Sequence, residues 1–144
     1  MAKAAPPVSS LAPAGGMPEL PPVAGVRFAA VEAGVRYAGR LDVMLAEIAP
    51  GAAMAGVFTR SATRSAPVLW CEESLTARGD AGRGHAILVN SGNSNAFTGA
   101  AGRDAVAATV GAVAAALDVP EAHVFVASTG VIGEPLPAER IVAK

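Results

Sequence analysis

Very little in this chain is cysteine, aromatic or charged in excess. Cys71 is the only cysteine in 144 residues, so no internal disulfide can form and nothing points to a secreted, stapled scaffold. Aromatics are 4 % of the chain against 52 % hydrophobic residues, so the core has to be assembled from Ala, Val, Leu and Ile. The net charge is −1 and there is no long run of like charges, which argues against nucleic acid or an anionic membrane as the main partner. No stretch of 18 strongly apolar residues occurs, and the Ala-rich segment 105–117 reads as too short and too weakly apolar to span a bilayer. Lys3 is followed by prolines at 6, 7 and 13 rather than by an apolar segment, so a signal peptide is not expected and the cytoplasm is the default compartment.

What remains is enough for one domain with a core of its own. Residues 1–22 are rich in Pro, Ala and Gly and read as a mobile or loosely docked arm, leaving 23–144 as the folded part. Val26–Val31 is strand-like, Glu32-Ala33-Gly34 can turn the chain, and Val35-Arg36-Tyr37 can return it as a hairpin. The run Val43–Ile48, ended by Pro50-Gly51, is a buried strand or a short buried helix, with strand preferred for its flanking breakers. Ala53–Thr59 and Ala66–Cys71 are further strand candidates, Pro67 being tolerated near a strand start. The pattern predicts a mostly antiparallel or mixed sheet in this half. A glycine-containing loop over 76–84 leads to the strand Ala86–Val89.

The second half reads strand, loop, helix, strand, loop, helix. A helix from about Arg103 to Leu117 carries Val106, Val110, Val113 and Leu117 on one stripe. Gly111 inside it costs about 1 kcal/mol against Ala, which close approach of a neighbouring backbone would offset. Asp118-Val119-Pro120 ends that helix, Val124-Phe125-Val126 is the next strand, and Pro137 opens a last helix that reaches Lys144 after about two turns. A chain ending inside an element suggests a truncated product, or one half of something that continues.

Two loops at strand ends could carry chemistry. Asn90-Ser91-Gly92-Asn93-Ser94-Asn95 lies between a strand and a helix, where phosphate binds. It has neither the dinucleotide-binding nor the P-loop glycine pattern, and Asn at this density more often bonds its own backbone in turns. Ala127-Ser128-Thr129-Gly130 follows the strand at 124–126 and turns through two glycines. A structural turn is the commoner meaning. The alternative is a two-donor cradle for developing negative charge, the Thr129 hydroxyl beside the Gly130 N–H. His85 and His123 lack metal-ligand spacing and read as structural, so no metal site is expected. Cys71 reads as a buried inert thiol and Glu72-Glu73 as a solvated strand end, while Asp42, Arg40 and Arg36 are able to pair. No nucleophile or base stands out.

Taken together, the two loops resemble one family. Residues 90–99, Asn-Ser-Gly-Asn-Ser-Asn-Ala-Phe-Thr-Gly, followed after one helix by Ser128-Thr129-Gly130-Val131-Ile132-Gly133 and Pro135-Leu136-Pro137, are similar to ornithine acetyltransferase, the bifunctional glutamate N-acetyltransferase of arginine biosynthesis. Gly25-Val26-Arg27-Phe28, Gly39-Arg40 with Asp42, Ala55–Thr59 and Ala66–Leu69 fall in the same order, so the resemblance covers roughly 25–144. It implies an α/β layered sandwich, mixed sheets covered by helices. It implies a precursor that cleaves itself before a threonine, which becomes the N-terminal nucleophile of a β chain in an α2β2 assembly. Acetyl passes from N-acetylornithine, or in some members from acetyl-CoA, to glutamate by ping-pong exchange, with no bound cofactor. Thr129 and Gly130 match the oxyanion hole. Ser94 stands where alanine is more usual and Phe97 where cysteine is common. The family's Lys-Gly-Ala-Gly-Met and Ala-Thr-Met-Leu segments are not in these 144 residues, so the chain corresponds to the N-terminal part of the α chain, expected to be inactive without its β chain. A small-anion-binding module and a purely structural subunit are the alternative readings.

Overall fold

The computed structural model describes residues 9–77 and 82–144. Four strands form one mixed sheet in the order β1-β2-β3-β4. β1 (Val26–Val31) and β2 (Val43–Ile48) pair antiparallel, from Val26 opposite Ile48 to Val31 opposite Val43. β2 pairs antiparallel with β3 (His85–Asn93), and β3 pairs parallel with β4 (Val124–Val131). The parallel pair is joined through α2 (Gly99–Leu117), the helical crossover that such pairing requires. This is the mixed, helix-covered α/β architecture that the family resemblance implies.

The hairpin is real, but its returning strand is β2 rather than Val35-Arg36-Tyr37. Val31 is already opposite Val43, so residues 32–42 make the connecting loop. Asp42, 5 % exposed, closes it by accepting the N–H groups of Ala33 and Val35, each at 2.7 Å. Val35 turns into the core instead of continuing a ladder.

Two other strand expectations are overturned. Ala66–Cys71 opens a helix, α1 (Ala66–Ala77). Pro67 sits in its first turn, where a missing N–H costs nothing. The buried residues Pro67, Cys71 and Ser74 recur at helical spacing once the segment is followed past Cys71. Glu72-Glu73 accordingly lies on a helix, with Glu72 paired to Arg64 at 2.8 Å. Ala53–Thr59 joins no strand; Met54 and Phe58 pack against the core while Val57 is 98 % exposed, so the segment straps across as irregular chain.

α1 lies along the outer edge of β4. The Trp70 indole donates to the Val124 carbonyl at 2.8 Å, and Cys71 Sγ contacts both the carbonyl and the N–H of Val126 at 3.3 Å. Burial holds the Cys71 thiol above its ordinary pKa, as expected for an inert thiol.

α2 begins at Gly99, four residues before the expected start, and β3 runs on to Asn93. At 19 residues and mean hydropathy 1.3, α2 is longer than segment 105–117 alone, and by length and composition it is enough to cross a membrane. Its stripe of Val106, Val110 and Val113 is instead buried in the core. Asp118, in the left-handed conformation at φ 51°, ends it. Gly111 has no close backbone neighbour: a Cβ there would meet only Glu121 Oε1, at 3.6 Å. The tight position is Gly102, where a Cβ would come 2.0 Å from Thr98 Oγ1. After a 3-10 turn at Glu121–His123 comes β4, and α3 (Ala138–Val142) follows Pro137, which caps it from outside. Residues 9–22 of the arm are exposed throughout, Leu11, Met17 and Leu20 included; residues 1–8, and 78–81 of the glycine loop, lie outside the described residues.

Candidate active site

The carboxyl ends of the parallel strands β3 and β4 lie side by side, with Asn90 opposite Ser128, Ser91 opposite Thr129 and Gly92 opposite Gly130. Ligands gather at this end of parallel strands in open α/β sheets. Ser128-Thr129-Gly130 does not follow β4 as a turn; it is the strand's own last stretch, because Gly92 and Asn93 form a bulge that keeps the ladder going. Gly130 has φ 138°, and a Cβ on it would lie 2.3 Å from the Gly92 carbonyl carbon and 2.5 Å from the Asn93 nitrogen. Only glycine fits there.

The hydroxyls of the pair differ. Ser128 Oγ is 2.6 Å from Asn90 Oδ1 and is spent inside the chain. Thr129 is exposed, and among the described residues no hydrogen bond engages its hydroxyl. Its Oγ–H therefore remains a donor for something outside the chain.

The asparagine loop is a brace. Asn90 Nδ2 donates to the Asn93 carbonyl at 2.9 Å; Asn93 Oδ1 accepts from the Asn95 N–H at 2.7 Å. Asn93 Nδ2 reaches the carbonyls of Glu134 and Pro135, and Ser94 Oγ reaches that of Val131 at 2.8 Å. Asn95, wholly buried, donates to the Gly102 carbonyl and accepts from the Thr98 hydroxyl. These side chains hold the two strand-end loops against one another, and the amides are committed to backbone rather than turned toward a phosphate.

Asp42, Arg40 and Arg36 do not pair among themselves. Arg36 bonds Glu134, which raises the guanidinium's pKa further, and Arg40 donates to Ser91 Oγ at 3.1 Å. The 32–42 loop thus reaches over the strand ends and adds two cations to the site's border, a placement that no local spacing signals. His85 and His123 stack with ring centroids 4.5 Å apart at the other end of the parallel pair. His123 Nδ1 is 3.0 Å from the Gly84 carbonyl, while His85 Nδ1 is buried with no partner. Burial first, and the neighbouring His123 second, push the His85 pKa down.

A mixed α/β sheet with two braced polar loops at adjoining parallel strand ends defines a protein built around a strand-end site. The family that has this arrangement is identified by comparison: the ArgJ family model matches residues 27–144, and the chain belongs to that family. It is 60 % identical over 137 residues to the arginine biosynthesis bifunctional protein ArgJ of Ruegeria pomeroyi, and 53 % identical over 137 residues to that of Gluconobacter oxydans. Each match covers 95 % of this chain, which spans about a third of those relatives' length (33 % and 31 %). Among solved structures, ornithine acetyltransferase of Mycobacterium tuberculosis, complexed with ornithine, superposes with TM-score 0.75 at 44 % identity, covering 83 % of this chain and 63 % of that one. The arginine biosynthesis bifunctional protein of Bacillus halodurans gives TM-score 0.75 at 33 % identity, covering 83 % and 61 %.

Proposed function

We propose that this chain supplies the oxyanion-binding loop of a cytoplasmic acetyltransferase of arginine biosynthesis, which moves acetyl from N-acetylornithine to glutamate. Residues 23–144 act in this reading as the N-terminal part of an α chain, and a β chain brings the N-terminal threonine nucleophile into an α2β2 assembly. Attack of that threonine's hydroxyl on the acetyl carbonyl places negative charge on its oxygen. The Thr129 Oγ–H and the Gly130 N–H receive that charge, ornithine leaves, and the amine of glutamate takes the acetyl group in a second attack. The observation that carries the reading is Thr129: an exposed hydroxyl with no partner among the described residues, at the carboxyl end of a parallel strand, in a chain of the ArgJ family. The ornithine bound to the Mycobacterium tuberculosis relative supports the substrate class.

The test is Thr129→Val in the complete enzyme, which keeps the shape and removes the donor. Loss of one such donor lowers kcat by roughly 100-fold or more, with assembly and KM little altered. A kcat within threefold of the wild type would remove Thr129 from the oxyanion hole.

A further inference from the structure

We infer that Arg40 is the anchor for the α-carboxylate shared by the donor and acceptor amino acids. The inference rests on the acetyl-transfer reading and names a contact within that same site.

The charges of the 32–42 loop account for themselves, with one exception. Glu32 accepts the Gly39 N–H, Asp42 accepts the N–H groups of Ala33 and Val35, and Arg36 is bonded to Glu134. Arg40 alone on this loop has no opposite charge among the described residues. Its guanidinium is nevertheless held in place: one nitrogen donates to Ser91 Oγ at 3.1 Å, and Cζ lies 5.0 Å from the Tyr37 ring centroid. A guanidinium offers five donors in a fixed fork, so one bond to Ser91 leaves the others for an incoming carboxylate.

Its position fits an N-acyl amino acid. Ser91 is opposite Thr129 in adjacent parallel strands, so the two side chains stand on one face about 4.8 Å apart at the backbone. In an N-acetyl amino acid the acyl carbon and the carboxylate carbon are separated by three bonds, a contour of about 4.3 Å. A carbonyl oxygen at Thr129 thus leaves the carboxylate a reach of about one strand spacing, the separation between Thr129 and the strand whose Ser91 accepts from Arg40.

Chemistry then selects which carboxylate. In ping-pong exchange the donor and the acceptor occupy the same site in turn. The ornithine side chain ends in an ammonium, which Arg40 would repel, and that of glutamate ends in a carboxylate. A fixed cation serves both substrates only through the group they share, the α-carboxylate. Arg40 is exposed and takes no part in the core, so its replacement leaves the fold intact.

The experiment compares two acetyl donors in the complete enzyme: N-acetylornithine, and N-acetyl-1,4-diaminobutane, the same molecule without the carboxylate. Wild type is expected to favour N-acetylornithine in kcat/KM by roughly 10- to 100-fold, the range for one charged hydrogen-bonded contact. Arg40→Gln lowers kcat/KM for N-acetylornithine by a similar factor, mainly through KM, and leaves the diaminobutane donor unchanged; Arg40→Lys recovers part of the loss. If Arg40→Gln lowers both donors equally, or leaves their ratio as in wild type, Arg40 does not hold the carboxylate and this inference falls alone. If wild-type enzyme transfers acetyl from neither donor, the acetyl-transfer reading fails and the inference with it.

Discussion

Replacing Gly130 with alanine should unfold the site before it tests the chemistry. The added Cβ would sit 2.3 Å from the Gly92 carbonyl carbon, 2.5 Å from the Asn93 nitrogen and 2.6 Å from the Gly92 oxygen. All three are backbone atoms of the neighbouring parallel strand, so no side chain can swing away. Ordinary contact begins at about 3.4 Å, and the bulge at Gly92 and Asn93 would have to retreat by about 1 Å. That bulge is tied down by Asn90 and by the Asn93 contacts to Glu134 and Pro135. Overpacking of this kind costs about 1–3 kcal/mol. A φ of 138° adds about 1–3 kcal/mol for any residue with a side chain. The expected loss is therefore about 2–6 kcal/mol, a large part of the stability of a domain this size. Urea denaturation followed by Trp70 fluorescence reads it directly, since Trp70 is the only tryptophan and its indole is bonded to β4. A Gly130→Ala chain within 0.5 kcal/mol of wild type would show that the strand ends are not packed as described. Because this substitution disturbs β3 as well, Thr129→Val is the cleaner probe of the oxyanion hole.

Two further outcomes follow from buried polar groups. Asp42→Ala leaves the Ala33 and Val35 N–H groups without their acceptor and should cost about 3 kcal/mol or more in the same denaturation assay; a loss under 1 kcal/mol would mean the loop is held by other contacts. Stability should fall as pH drops from 7.5 to 5.5, because the His85 pKa is depressed in the folded state and the unfolded chain takes up more protons once pH passes below the ordinary histidine range near 6.5. The slope for one proton is at most about 1.4 kcal/mol per pH unit, and His85→Gln should flatten it; a wild-type stability that is level or rising toward pH 5.5 contradicts this assignment.

The sequence was informative where a pattern had one reading. The α2 stripe could be read from its helical repeat, and β1 and β2 as short apolar runs bounded by breakers. Ala66–Cys71 misled because six apolar residues with an early proline suit a strand start and a first helical turn equally; the deciding residue, Ser74, is polar yet buried. Ala53–Thr59 has strand composition, but a strand also needs a partner edge, which composition cannot supply. At the site, Ser128-Thr129-Gly130 stood out by residue type. The division of labour between its hydroxyls did not, since it depends on Asn90, 38 positions away. The approach of Arg40 to Ser91 spans 51 positions and has no local signature.

The way α1 meets β4 has a consequence for assembly. A sheet of four strands has two open sides, and each is a template on which another chain can pair. Here the first half of one side is closed: Trp70 and Cys71 occupy main-chain groups of Val124 and Val126 that an incoming strand would need. α1 therefore leaves β4 open only toward its carboxyl end, where Thr129 and Gly130 lie. A strand recruited at the opposite side of the sheet would add beside Val26–Val31, at the far side from Thr129 and Gly130.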